Sequence, residues 1–186
     1  MEHMESDSST RIIKETFPSE IVSIIGSIFA GVVLTILIIP FESFSVLILM
    51  VPAILSLRGN ISGPFIARTS KDLIIGDFNF NTLIQNVCAT IFLSLVISSL
   101  IGIISFFLNE FIFMVKAFSF LTFLIIPILS ILLNLSISIP VSTFLNYIAF
   151  RYGLNVNNVV NPLMTAVDDF FSVFSFYLIL ILLGVP

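Results

Sequence analysis

Asn158-Val159-Val160-Asn161-Pro162-Leu163-Met164-Thr165-Ala166-Val167-Asp168-Asp169-Phe170-Phe171-Ser172-Val173-Phe174-Ser175 sets two adjacent acids inside an apolar run that continues to Val185. From about Val159 to Val185 the run is long enough to cross about 30 Å of hydrocarbon as a helix. An Asp at the centre of such a helix costs about 2.5–3.5 kcal/mol on insertion scales, so two in succession need compensation. Composition around this run is of the same kind. Of 186 residues, 58% are hydrophobic and 10% charged, with mean hydropathy +1.20. A soluble domain carries about 25% charged residues, so the solvent for this chain is lipid. The reading is an all-α, polytopic membrane protein.

Four further apolar segments precede the acidic one. Ile21–Ile39 carries no charge and ends at Pro40, and Leu83–Leu108 is equally uninterrupted. Phe44–Ser56 begins as a clean helix but runs into Leu57-Arg58-Gly59-Asn60-Ile61-Ser62-Gly63-Pro64. Irregular backbone is expected there, packed in protein or lining a cavity. Ile61 to Ile75, with Arg68, Lys71 and Asp72, reads as an amphipathic cytosolic extension that ends at Gly76-Asp77. The long stretch from Phe111 to Phe150 is predicted to hold one tilted span, about Phe118 to Phe150, with kinks at Pro127 and Pro140 and Lys116 at the interface. Splitting it would give six crossings and leave Arg151 outside. With five spans and a cytosolic N-terminus, Arg11, Lys14, Arg68, Lys71 and Arg151 all fall inside, Lys116 falls outside and Arg58 lies within the membrane.

Residues 1–20 are expected to form a short cytosolic tail, and 21–186 a five-helix transmembrane transport domain whose C-terminus lies outside the cell membrane. The tail is acidic (Glu2, Glu5, Asp7, Glu15, Glu20) and lacks the features of a signal peptide. His3 is the only histidine and reads as a solvated tail residue. Cys88 is the only cysteine, which excludes an intrachain disulfide and a multi-cysteine metal site.

Asn158, Asn161, Thr165, Asp168, Asp169, Ser172 and Ser175 follow steps of three or four and form a polar stripe on an otherwise apolar helix. Asp168 lies about 100° around the helix from Asp169, so the two carboxylates need not share an environment. Arg58 is the one intramembrane base and can neutralise one Asp but not both. The bland reading is helix glue by ion pairing. The functional reading is a cation or proton pathway, because acids inside membrane helices serve transport by default. Carboxylate, amide and hydroxyl oxygens dominate while thiolate and imidazole are missing, which favours Mg2+, Mn2+ or Ca2+ over zinc or copper. A two-fold dimer would bring two to four carboxylates to its axis and hold a hydrated dication between subunits.

Two segments carry a resemblance. Val51-Pro52-Ala53-Ile54-Leu55-Ser56-Leu57-Arg58-Gly59-Asn60, with Ala67-Arg68-Thr69-Ser70 and Ile75-Gly76, resembles the signature of the MgtE magnesium-transporter membrane domain, in the branch that includes the eukaryotic solute-carrier members. Arg151-Tyr152-Gly153-Leu154-Asn155 through Asn158, then Asn161-Pro162-Leu163-Met164-Thr165-Ala166 and Asp169, is similar to that branch's G-x-D/N-P-D-N-x-x-x-P-x-x-T-A-x-x-D pattern. The resemblance implies a homodimeric five-helix membrane domain in which helices two and five of both subunits line a central pore. It places the pore aspartate on Asp169. Asp168 stands where Gly is common, and Asn155-Val156 replaces a common Asp-Pro. The paired regulatory CBS modules of bacterial relatives have no counterpart in the sequence, so gating by them is not expected.

The expected function is transport of divalent cations, Mg2+ first and Mn2+ or others besides. The expected ligand set is Asp169, Asp168, Thr165 and Asn161 with Asn60 and Gly59, and Arg58 is the charge partner. Partners are a second copy of the chain, the lipid bilayer and the transported dication, with no nucleic acid and no catalytic residues. Exchange against Na+ or H+ is an alternative. An intramembrane aspartyl protease fits poorly, because its two aspartates lie on different helices and Gly76-Asp77 lacks the Gly-x-Gly-Asp context. A structural subunit glued by its acids is the remaining alternative.

Overall fold

A computed structural model describes residues 8–38, 45–114 and 118–184, and every described element is helical. Among the described residues, five helices are long and apolar enough to cross a membrane: α1 (Ser9–Ile38), α2 (Ser45–Ile75), α3 (Phe80–Leu108), α4 (Phe120–Arg151) and α5 (Val156–Leu182). A π turn over Asn109–Phe113 prolongs α3. The expected five-span, all-α membrane architecture is what the chain adopts. Of the residues singled out above, Glu2, His3, Glu5, Asp7, Ile39, Pro40, Phe44, Lys116 and Val185 lie outside the described residues.

Two differences concern α1 and α2. α1 starts at Ser9, well ahead of Ile21, so the second half of the predicted tail is already helical. Its start is tied to the α4–α5 turn: Arg11 Nη2 donates to Gly153 O at 2.6 Å, and Glu15 Oε2 accepts from Asn155 N at 3.1 Å and Asn158 Nδ2 at 3.2 Å. Those bonds put the two segments at one end of the bundle, as five alternating spans require. The expected irregular backbone after Leu57 is absent, because α2 runs as one helix through Arg58, Gly59 and Pro64. Pro removes a single backbone hydrogen bond, which a packed membrane helix tolerates. Gly59 and Gly63 do not interrupt the helix and leave its surface bare: a Cβ at either would meet nothing within 4 Å. α2 stops where expected, at Gly76, whose φ of +77° lets Asp77 N reach back to Asp72 O at 2.9 Å. Asn79 and Thr82 then form a reciprocal capping box that starts α3. In α4, Pro127 and Pro140 sit inside a single helix, as predicted.

α5 lies at the centre, packed by α1 on one side and by α2 and α4 on the other, and α3 packs on α2 and α4. The outward faces are apolar, with Phe17, Ile25 and Ile28 on α1 and Phe92, Leu93 and Leu100 on α3 exposed. Small polar residues are turned inward instead. Asn86, Thr90, Ser94, Ser98 and Ser105 form the buried stripe of α3, and Ser130, Asn134, Ser138, Ser142 and Asn146 that of α4. Lipid rewards apolar contact as well as protein does, so helices associate here through close packing and hydrogen bonds. Hydroxyls of these stripes also fold back onto their own helix, as Thr90 does to Asn86 O and Ser94 to Thr90 O, both at 2.7 Å.

Gly102 marks the tightest approach of α3 to α4. A Cβ there would lie 2.6 Å from Phe123 O and 2.9 Å from Leu124 Cα, both backbone atoms. Gly102→Ala is therefore expected to destabilise the bundle by about 1–3 kcal/mol through overpacking, despite its gain in helix propensity. Gly59→Ala, with open space around it, should leave stability unchanged or slightly raised. Unfolding midpoints of the purified variants in detergent check both.

Candidate functional site

Asp168 and Asp169 leave α5 in different directions, and their surroundings differ accordingly. Asp168 is buried, with 1% of its surface exposed. Its Oδ2 is ion-paired with the guanidinium of Arg58 on α2, which is itself 3% exposed. Its Oδ1 accepts a hydrogen bond from Ser138 Oγ of α4 at 2.7 Å. One helical turn further along α5, Ser172 Oγ accepts from Asn134 Nδ2, and Arg58 Nη1 donates to Asn134 Oδ1 at 3.4 Å. Arg58, Asn134, Ser138, Asp168 and Ser172 thus form one polar knot joining α2, α4 and α5.

Asp169 points away from that knot. It is partly exposed, and its Oδ2 accepts from Ser27 Oγ of α1 at 2.6 Å. Between α2 and α5 lies a cavity of about 200 Å³. Its α2 wall is Leu55, Arg58, Gly59, Ser62 and Gly63, and its α5 wall is Asn161, Thr165, Asp168 and Asp169. Asn161, Thr165 and Asp169 share a face at steps of four, so their oxygens follow one another along the helix. Thr165 Oγ1 donates to Asn161 O at 3.0 Å, and Asn161 Oδ1 is buried with no hydrogen-bond partner among the described residues. An amide oxygen left unpaired is an acceptor held ready for a cation or for water around one. The glycines of α2 contribute backbone in place of side chains, which keeps the opposite wall low.

The predicted stripe on α5 therefore splits into two faces. Asn161, Thr165 and Asp169 line the cavity, whereas Ser172 and Ser175 are buried among helices. Asp168 does both: it borders the cavity and closes the ion pair with Arg58, as the count of charges required. Gly59 lies in the cavity wall as expected. Asn60 does not; it is exposed and is not among the lining residues, because one step along α2 turns its side chain about 100° from that of Gly59. Asn134, Ser138, Ser62 and Ser27 were not singled out from sequence. For the α4 pair the signal was present, since Ser130, Asn134, Ser138, Ser142 and Asn146 recur every fourth residue, but in a segment read only for its length.

Charge in the cavity follows directly. Among the described residues, two carboxylates, Asp168 in an ion pair and Asp169 across the same cavity, face the single guanidinium of Arg58, which leaves one acid in excess. Among the described residues no group of three or more His, Cys, Asp or Glu side chains could enclose a metal ion. One chain thus offers a single carboxylate, an amide oxygen and hydroxyls, a donor set for a hard cation that keeps most of its water.

A family model for MgtE, a divalent cation transporter, matches residues 51–179, more than half of the chain. The chain belongs to the MgtE family. No curated protein and no solved structure matches it. The match runs from Val51 in α2 to Ile179 in α5 and so includes the whole cavity wall, while α1 lies outside it. MgtE is a family of transporters and not of enzymes, and membership makes divalent cation transport across a membrane the general activity of this multi-pass protein.

Removing one partner of a buried ion pair costs about 3–5 kcal/mol, whereas replacing both with apolar residues of similar size is often neutral. Arg58→Met and Asp168→Leu are each expected to lower the unfolding midpoint in detergent sharply, and the double variant to recover most of the loss. A double variant no better than either single would show that the pair does not act as a unit.

Proposed function

We propose that this MgtE protein conducts Mg2+ through a pore at the two-fold interface of a homodimer, lined by α2 and α5 of both subunits, with Asp169 as the principal ligand. The observation that supports this most is the asymmetry of the acidic pair. Arg58 takes the charge of Asp168 and leaves that of Asp169 open to a cavity between those same two helices. One protomer then supplies a single negative charge, and a two-fold copy supplies the second, matching a dication.

Cavity size favours a hydrated ion. Six waters of an octahedral shell, at about 30 Å³ each, occupy about 180 Å³. The cavity of about 200 Å³ accommodates that shell without stripping it. Mg2+ sheds water reluctantly, so a site that reads it through water avoids the largest barrier to passage. Asp169 would face the hydrated ion, Thr165 and Asn161 would order its outer waters, and Gly59 and Gly63 would keep the α2 wall clear. Mn2+ has compatible oxygen chemistry and would follow the same path.

Arg11, Lys14, Arg68, Lys71 and Arg151 all belong to the end of the bundle that holds the start of α1 and the α4–α5 turn. The excess of basic residues at that end supports a cytosolic N-terminus and an external C-terminus in a cell membrane. With the cell interior negative, the potential favours influx of a dication by about 4.6 kcal/mol per 100 mV, twice the single-charge value. Influx then needs no coupled ion.

In liposomes loaded with a Mg2+-sensitive dye, the wild-type chain is expected to carry Mg2+ down an imposed negative potential. Asp169→Asn should reduce that flux by more than about tenfold, the loss expected when a charged ligand becomes neutral. Equal flux in both proteins would overturn the assignment of Asp169, and flux that requires an opposing Na+ or H+ gradient would make the protein an exchanger.

A further inference from the structure

One contact to Asp169 comes from outside the helices that form the cavity. Ser27 of α1 donates to Asp169 Oδ2 at 2.6 Å, while the cavity itself is walled by α2 and α5. The approach that makes this bond possible is built into the two helices. Gly26 lies directly on Ala166, where a Cβ would stand 2.4 Å from the Ala166 Cβ and 3.3 Å from its Cα. Next along the helix, Phe29 stacks on Phe170 with ring centroids 5.9 Å apart. A glycine, a hydroxyl and a ring thus meet Ala166, Asp169 and Phe170 in register. α1 lies outside the segment that matches the MgtE family, so membership assigns nothing to Ser27.

The bond falls on one oxygen of a carboxylate that has two. Ca2+ accepts carboxylates in either one-oxygen or two-oxygen mode, at 2.3–2.6 Å and in flexible geometry. Mg2+ demands near-ideal octahedral geometry and keeps its waters, so it gains little from direct contact with both oxygens of one carboxylate. A hydroxyl donating to Oδ2 takes one of that oxygen's lone-pair sites, fixes the rotation of the carboxylate and draws charge from Oδ2, since hydrogen bonds to ionised acceptors are the strong ones. Oδ1 is then the better donor to a cation, in one-oxygen or water-mediated contact.

We propose that Ser27 is a specificity-determining residue of the transport site: by holding Asp169 Oδ2, it opposes two-oxygen capture and disfavours Ca2+ against small, strongly hydrated dications. The inference rests on the reading of Asp169 as the cation ligand. Ser27 acts through Asp169 and touches no ion itself, so it is a positioning residue.

The test measures preference, which a purely structural role would not shift. For each variant in detergent, the concentrations of Mg2+ and of Ca2+ that give half the maximal rise in unfolding midpoint are compared, so that no flux is needed. Ser27→Ala is expected to move the ratio about tenfold toward Ca2+, the scale of one hydrogen bond to a charged group. Ser27→Thr keeps the hydroxyl and should retain the wild-type ratio. Gly26→Ala, which forces α1 off Ala166, should reproduce the shift of Ser27→Ala with the serine still present. An unchanged ratio in Ser27→Ala and Gly26→Ala overturns the proposal, as does an equal shift in Ser27→Ala and Ser27→Thr. Loss of all ion protection in Asp169→Asn, alongside an unchanged ratio in the Ser27 variants, would leave the ligand assignment standing and remove only the role of Ser27. Ion protection that persists undiminished in Asp169→Asn would instead overturn the reading on which the role of Ser27 rests.

Discussion

The ion pair between Arg58 and Asp168 is the constraint from which the arrangement of α2, α4 and α5 follows. A lone guanidinium or carboxylate inside hydrocarbon is costly enough that neither side chain is tolerable at its position without the other. Together they demand that α2 and α5 lie within contact distance. Their remaining hydrogen-bonding capacity then recruits α4, through Ser138 to Asp168 and Asn134 to both Arg58 and Ser172. Apolar burial cannot specify such a register, since one lipid-like surface serves as well as another. Hydrogen bonds and charges can, because each misplacement strands a polar group.

The same pair decides what is left for function. Adjacent residues on a helix point about 100° apart, so Arg58 closes its ion pair with Asp168 and acts on Asp169 only across the cavity. The bundle absorbs one acid as structure and leaves the next in a cavity with glycines opposite. Without Arg58 the two carboxylates would compete for protons and cations alike, and the site would carry twice the charge per chain. The bare face of α2 matters equally. Gly59 and Gly63 keep a continuous helix while removing the side chains that would fill the gap, so the room in the cavity comes from what those positions lack.

Much of this was legible in the sequence. Span number, the single fourth helix, the end of α2 at Gly76 and the separation of Asp168 from Asp169 all follow from apolar length, basic-residue placement and helical angle. The helical continuity of α2 was not legible, because a Pro-Gly-Arg run reads as breakage unless the neighbouring helices that support it are known. Asn60 was misplaced for the related reason that, without an assigned helix, Gly59 and Asn60 had no defined angle between them. The α4 stripe was overlooked because Ser and Asn in a long apolar segment barely lower its hydropathy, although their spacing of four is as regular as that on α5. Ser27 had no signal of its own; only the fold brings α1 against Asp169, and a lone serine in an apolar helix most often bonds its own backbone.

That last contact also changes how α1 is to be understood. Packed mainly on α5, with its outer face apolar and exposed, α1 resembles a passive membrane anchor. On the proposed reading of Asp169 as the cation ligand, the Ser27 hydroxyl and the ion share one carboxylate, and their coupling is reciprocal: the factor by which the Ser27 bond lowers ion affinity is the factor by which a bound ion weakens that bond. The start of α1 is bonded in turn to the α4–α5 turn through Arg11 and Glu15, at the end of α5 from which Asn161 and Thr165 descend. α1 therefore grips α5 at two points, one at the α4–α5 turn and one at Asp169, and a shift of α1 along α5 must break those bonds.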